Sequence, residues 1–317
     1  MAAGQGGRTI MSDAIAGQHS QTDDTASSTL PRRQLGRMLR EAREASGMSL
    51  EEASRLMEWG KSTLGRLEKG QSERVRVREV IGLGELYGVS EEKMAALKGL
   101  AQQAPVRSWW HAYGDLIPAN VNLFVGLEAS ARELTYYQPL IVPGILQTAD
   151  YARTLDHRFF PNETDTELDR RVELRRQRQH VILRKRRPAN LISVLHESAV
   201  RTRVGDGHIM AAQLRRLADL GTEANIQVRL LPYRAGFPLG MPLPSFTILD
   251  FGRDQRGKLL EPSVVFAESY TGAMYFERVA DVGRFRDAFQ EVLKAALEVR
   301  PTRDLLREIA REHENDR

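Results

Sequence analysis

The sequence contains no cysteine. That absence excludes a disulfide framework, an iron–sulfur cluster, a thiolate zinc site and cysteine-nucleophile chemistry. Lysine is scarce: it supplies only 7 of the 46 basic residues, and arginine the rest. Such a skew fits a GC-rich genome and carries no functional weight alone. No run of about 18 apolar residues occurs, so no membrane span is expected. The N-terminus also lacks the compact apolar stretch of a signal peptide, and the expected location is cytoplasmic. The seven histidines show no HExxH or similar ligand spacing, and no GxxxxGK[ST] or strand-borne GxGxxG occurs; neither a metal nor a cofactor is expected.

What is present is an ordinary globular composition over 317 residues, 41% hydrophobic and 28% charged. At about 150 residues per domain, two domains are expected. The formal charge of +4 is too small to imply a nucleic-acid partner, so its placement matters more than its size. Residues 31–98 hold 14 basic against 11 acidic residues, and residues 169–188 hold 9 against 2.

Residues 1–30 are rich in Gly, Ala, Ser, Thr, Asp and Gln without apolar periodicity, and read as a disordered tail. From Pro31 the pattern becomes helical, with Leu35, Met38, Leu39, Ala42 and Ala45 at three- and four-residue steps and Gly47 as a stop. Ser49, followed by Glu51 and Glu52, reads as the N-cap of a second helix. A turn at Glu58–Gly60 leads to a third, Lys61–Lys69; a fourth is expected over Val77–Tyr87 and a fifth from Ser90 to about Leu100. The first domain, 31–100, is thus five short helices, and Ala101–Pro105 reads as a linker.

The second and third helices have the spacing of a helix-turn-helix, whose second member enters the DNA major groove. Ala53, Leu56, Trp59, Leu64 and Leu67 can pack internally, leaving Lys61, Ser62, Thr63, Gly65 and Arg66 outward. Arg and Lys suit guanine O6 and N7, and Ser or Thr can bond bases or phosphates. The pieces LGRMLREAREASGMSLEEAS, KSTLGRLEKG and LGELYGVS resemble the lambda-repressor-like Xre family over Leu35–Val89. The resemblance implies a five-helix domain that binds double-stranded operator DNA as a homodimer. It places Lys61, Ser62 and Arg66 on bases, with Ser49 and Thr63 among the contacts. Arg43 would meet phosphate and pair with Glu68, and Lys69, Arg74 and Arg76 would touch the backbone. The chain departs from the family pattern in four places. Leu50 stands where a Gln is usual, Glu58 and Trp59 where the turn has Gly and a small aliphatic residue, and Gly60 where a Ser or Thr caps the helix.

Residues 101–317 mix helix and strand signals. Helices are expected near Val121–Tyr136, Thr148–Leu155, Asp165–Leu183, His208–Leu220 and Val279–Val299. Strands are expected near Leu191–Leu195, Ile226–Leu231, Ser245–Phe251 and Val264–Glu268. The fold class is therefore mainly α, with an α+β second domain of helices around a small sheet. In YYQPLIVPGILQTADYARTL, Pro139 and Pro143 hold an extended corner; packing of that corner is the first reading and a ligand site the second. That segment, with WWHAYGDLIP, LHESAVRTRVGD, VRLLPYRAGFP and FAESYTGAMYFE, resembles the large C-terminal domain of unknown function behind Xre-type helix-turn-helix domains in actinobacterial regulators, including the WhiJ-type group. This resemblance implies regulation of development or secondary metabolism, often with a small partner protein encoded nearby.

Other features read more simply. The arginines of Arg170–Arg187 spread around a helix and suggest a solvated face ahead of a second DNA contact or an acidic protein partner. Trp109, Trp110 and Tyr113 read as packing residues before pocket residues. His196-Glu197-Ser198 has catalytic residue types, but neighbours in sequence do not make a triad alone. No enzyme is expected. The enzymatic alternative is self-cleavage through Ser245 and Lys258, beside Ala235 and Gly236. The reading is a regulator whose second domain senses a ligand or small partner. An antitoxin-like protein that mainly sequesters such a partner is the alternative.

Overall fold

The computed structural model describes residues 30–72, 74–104, 109–113, 115–117, 119–253, 257, 259–270 and 272–315. The expected tail lies outside the described residues, apart from Leu30, which already belongs to the first helix.

Five helices form the first unit: α1 (Leu30–Ala45), α2 (Leu50–Leu56), α3 (Lys61–Glu68), α4 (Val77–Leu86) and α5 (Glu91–Gln103). Their apolar stripes meet in one core, where Leu35, Leu39, Leu64, Val80, Leu83 and Leu97 are fully buried. The expected linker begins later than its composition suggested, because α5 runs on to Gln103 and buries Ala101. The first four helices end in one hydrogen-bond pattern. At α1 the Gly47 N–H donates to the Glu44 carbonyl and the Met48 N–H to the Arg43 carbonyl; α2, α3 and α4 repeat it at Glu58, Gly70 and Gly88. This paired closure needs a left-handed residue just past the helix. Gly47, Gly70 and Gly88 supply it with φ of 75, 70 and 63°, while at the end of α2 Glu58 does so with φ 58°.

The second unit is built on a six-stranded sheet: β1 (Glu133–Gln138), β2 (Asn190–His196), β3 (Ile226–Leu231), β4 (Phe246–Asp250), β5 (Val264–Ser269) and β6 (Gly272–Phe276). The spatial order is β3-β2-β1-β4-β5-β6. β1, β2 and β3 are parallel, and β4, β5 and β6 are antiparallel to their neighbours. Residues alternate between two cores. Leu191 and Leu195 face α6 (Ala119–Ser130), α8 (Asp165–Leu183), α10 (Gly207–Leu220) and α12 (Val299–Asn315), whereas Val194 faces α11 (Val279–Ala295). Two further helices, α7 (Ala149–Phe159) and the short α9 (Glu197–Arg201), complete the unit.

Three expectations are corrected. The helix expected over Val121–Tyr136 is α6 followed by β1, because α6 stops at Ser130 and ELTYYQ is drawn into the sheet between β2 and β4. The helix expected over Val279–Val299 is α11, which stops at Ala295, the chain leaving the helical pattern where the Leu297 N–H donates to the Leu230 carbonyl beside β3; α12 then follows from Val299, where no helix is expected. The basic stretch Arg170–Arg187 is a solvated face only in part: Arg176, Lys185, Arg186 and Arg187 are exposed, while Arg171, Arg175 and Arg178 are turned into buried or half-buried ion pairs. Arg170, Arg171, Arg175, Arg176 and Arg178 bond Asp115, Glu163, Asp156, Glu173 and Glu128, and Arg178 pairs with a Glu128 that is itself fully buried.

Candidate nucleic-acid interface and a C-terminal cleft

The helix-turn-helix is made by α2 and α3. Ser49 caps α2, its hydroxyl accepting the Glu52 N–H at 3.1 Å. α3 starts from Gly60 with no side-chain cap. Leu64, Leu67 and Glu68 point inward, so the 3.6-residue period turns Ser62, Arg66 and the following Lys69 along one outer stripe, with Lys61 and Thr63 beside it. All five are exposed, as are Arg74 and Arg76 on the segment leading to α4. Lys61 stands 3.3 Å from Glu51 in a solvent-exposed pair, a contact of small energy that a phosphate can displace. Arg76 bonds Glu79 at 3.0 Å within the first turn of α4.

Arg43 occupies a different setting. Its guanidinium is buried, donating to both carboxylate oxygens of Glu68 and, at 2.9 Å, to the Met48 carbonyl. The Arg43 side chain therefore fastens α3 to α1, and it presents no exposed donor stripe comparable to that of Arg66. Behind it the two helices touch backbone to backbone. A Cβ on Gly36 would lie 2.5 Å from the carbonyl oxygens of Leu67 and Glu68, and one on Gly70 would lie 2.8 Å from the Arg33 Cα.

The opposite side of α1 meets the second unit. Arg37 donates to Glu261 at 3.1 Å and to the Leu260 carbonyl at 2.9 Å; Arg33 donates to Glu277 at 2.7 Å, with Glu261 at 3.8 Å. Burial pushes the Glu261 carboxyl up, opposed by the charges of Arg37 and Arg33. Glu261 precedes β5 and Glu277 follows β6, so both belong to the open end of that hairpin. Nothing in the local sequence flags these two acids; the sheet topology brings them together.

At the other end of the hairpin lies a cleft of about 790 Å³. It crosses the carboxyl ends of the three parallel strands, the position where open α/β sheets gather ligands. Tyr137, Leu231 and Val292 line it, together with Pro139 and Ile141 of the Pro-braced corner and the loop Gly236–Ser245. Of that loop, GFPLGMPLPS, only Gly236 and Ser245 are sequence-derived candidates, as parts of the self-cleavage alternative; apolar residues alternating with Gly and Pro in a turn-rich stretch are the signal that marks the rest. Phe237 and Met241 are 66 and 63% exposed, and Leu140 on the facing wall is 74% exposed.

His196 and Ser198 line the same cleft, yet their bonds are those of a helix start. The Ser198 N–H donates to His196 Nδ1 at 3.2 Å, so His196 caps α9 through its ring. The Ser198 hydroxyl, 2.7 Å from that nitrogen, donates to the Pro139 carbonyl. Glu197 accepts from the Tyr233 N–H at 2.8 Å and from Arg201 at 2.6 Å. Burial lowers the His196 pKa, with Glu197 opposing. Of the self-cleavage alternative, Ser245 lines the cleft, while Lys258 lies outside the described residues. Trp110 is buried with Ile117, Val125 and Leu174, away from the cleft. Among the described residues no group of three or more His, Asp or Glu could hold a metal ion, and no helix is long and apolar enough to cross a membrane.

Two family models match the chain. The model described as Helix-turn-helix domain matches residues 34–97, spanning α1 to α5. The model described as Domain of unknown function (DUF5753) matches residues 121–308, spanning the sheet and its helices. A search of the curated proteins and a search of the solved structures each found no match.

Proposed function

The chain belongs to the family defined by the DUF5753 domain of unknown function, with a helix-turn-helix domain ahead of it, and from that premise we propose a sequence-specific DNA-binding transcriptional regulator. The observation that carries the reading is the outward stripe of Ser62, Arg66 and Lys69, flanked by Lys61 and Thr63, on the second helix of the motif. One such helix reads one half-site, so the protein acts as a homodimer on a two-fold operator. Arg66 and Lys61 read base edges with Ser62, and Lys69, Arg74 and Arg76 hold the phosphate backbone. The second domain senses a ligand or a small partner protein, and the regulated processes are development or secondary metabolism of an actinobacterium. The reading assigns the protein no reaction, cofactor or metal.

Selection of bound sequences from a random DNA pool tests it. Arg66→Ala should relax preference at one base pair by about 1–3 kcal/mol. Lys69→Ala should weaken binding to all sequences alike and flatten the salt dependence. Unchanged affinity and preference in Arg66→Ala would overturn the docking. The second reading, a protein that chiefly sequesters a small partner, draws on the exposed apolar residues Leu140, Phe237 and Met241. Recovery of a stoichiometric partner, with full in vivo effect from a chain that cannot bind DNA, would favour it.

A further inference from the structure

The cleft over the strand ends has a chemistry of its own. Its 790 Å³ falls within the roughly 300–1,000 Å³ of drug-sized ligand sites. The floor and walls are apolar, from Tyr137, Ile141, Leu231, Leu243 and Val292. Pro238, Pro242 and Pro244 stiffen the loop that walls one side, and Gly236 and Gly240, at φ 61 and 71°, let it turn over the opening.

Polar groups lie at the strand ends: Gln138, His196, Ser245, Glu268 and Ser269. Among the described residues, neither a lysine nor an arginine lines the cleft. Glu268 at the end of β5 carries the formal negative charge of the lining, and among the described residues it has no hydrogen bond or ion pair. His196 Nδ1 is engaged by Ser198, 2.7 Å from its hydroxyl and 3.2 Å from its N–H, so Nε2 is the ring nitrogen left for another partner. Burial pushes the Glu268 carboxyl up, opposed by the charge of Arg178. Arg178 is committed to both carboxylate oxygens of Glu128, so among the described residues a carboxylate or phosphate entering the cleft would find no free cation there, whereas an amine or a hydroxyl would be received.

We propose that this cleft binds a drug-sized amphiphile with an apolar body and an uncharged or cationic polar end, the apolar part lying on Tyr137, Leu231 and Val292 and the polar end at Glu268. The inference deepens the reading of the second domain as the effector-sensing part and rests on it only for the consequence at DNA.

The test uses the full chain and the neutral dye Nile red, displaced in turn by decylamine, decanol and decanoate. Saturable blue-shifted emission at one dye per chain is expected, with decylamine displacing it at a roughly tenfold lower concentration than decanoate. Ser245→Trp puts an indole into the cleft just ahead of β4 and should weaken the dye at least about tenfold. Glu268→Gln, at an exposed position, should keep the dye and lose the preference for decylamine over decanol; a thermal melt of each variant confirms folding. Absence of saturable binding, or decanoate competing as well as decylamine, overturns the proposal. Equal dye binding by folded wild type and both variants also overturns it, and places the dye on exposed residues such as Phe237, as a protein-docking face would. Decylamine binding that leaves affinity for selected DNA unchanged upholds the site and defeats the effector reading.

Discussion

Arg43 in the last turn of α1 grips Glu68 of α3 through two parallel hydrogen bonds, Nε to Oε1 at 2.7 Å and Nη2 to Oε2 at 2.9 Å, with both side chains buried. The bond to Glu68 raises the Arg43 pKa, so the cation persists at any working pH. The pair sets where the DNA-facing helix sits against the rest of its domain. Removing one partner leaves a buried uncompensated charge, the costly way to break such a pair. Glu68→Ala should therefore destabilise the first domain by about 3–5 kcal/mol in urea unfolding. A loss below about 1 kcal/mol would show that solvent reaches Arg43 freely.

Two glycines of this domain should respond in opposite senses. A Cβ on Gly65 would meet only Leu50 Cδ2 at 3.6 Å, an ordinary contact. Gly65→Ala should raise stability by up to about 1 kcal/mol through helix propensity. Gly36→Ala would drive a methyl into two carbonyl oxygens at 2.5 Å and should unfold the domain or pry α1 from α3. Thermal denaturation monitored by circular dichroism separates the two, and similar melting temperatures would contradict the packing.

Glu58 holds at φ 58° the closing position that glycine fills at the ends of α1, α3 and α4. An L-residue pays roughly 1–2 kcal/mol for that conformation, partly offset in glycine by a freer unfolded chain. Glu58→Gly should thus stabilise by about 0.5–1 kcal/mol, and a destabilised variant would mean that the Glu58 side chain has a compensating role.

Alkali should loosen the first domain through Tyr87. Burial raises its pKa to about 12, reinforced by the negative charge of Glu68 and opposed by Arg43. Between the ordinary value of about 10 and that of the folded state, the native protein keeps a proton the unfolded chain has released. Stability is therefore full below pH 10 and declines as pH rises toward 12. Tyr87→Phe should flatten this decline in melting temperature across pH 10–12; an unchanged slope would assign it to the other buried tyrosines.

The elements legible in the sequence are those that carry their own boundary chemistry. The range expected for α8 agrees with the structure, where Thr164 and Glu167 cap each other reciprocally at its start. The outer stripe of α3 was readable because Leu64 and Leu67 fix which way that short helix faces. β1 was not, since it follows α6 without proline or glycine and becomes a strand only by pairing with β2 and β4. The split between α11 and α12 did leave a trace, Pro301 in the first turn of α12, where proline is tolerated. Of the cleft only the Pro-braced corner is legible as a ligand site, because Gln138, His196, Leu231, Ser245 and Glu268 converge from five strand ends scattered along the chain. Likewise, the acids that neutralise α8 come from as far away as Asp115 and Glu128, so a charge count over one segment overstates its field.

The order of strands in the sheet has a consequence for synthesis. β1 is the earliest strand made, yet it lies inside the sheet, with Glu133 opposite both Asn190 and Asp250. It must wait for β4, nearly the whole domain later, before its second edge is covered. The helix-turn-helix domain, held by contacts close in sequence, can form while that chain is still emerging. A nascent protein arrested before Phe246 therefore carries a finished DNA-reading head and an open, sticky sheet edge, which is the interval in which aggregation or an assisting chaperone would decide its yield.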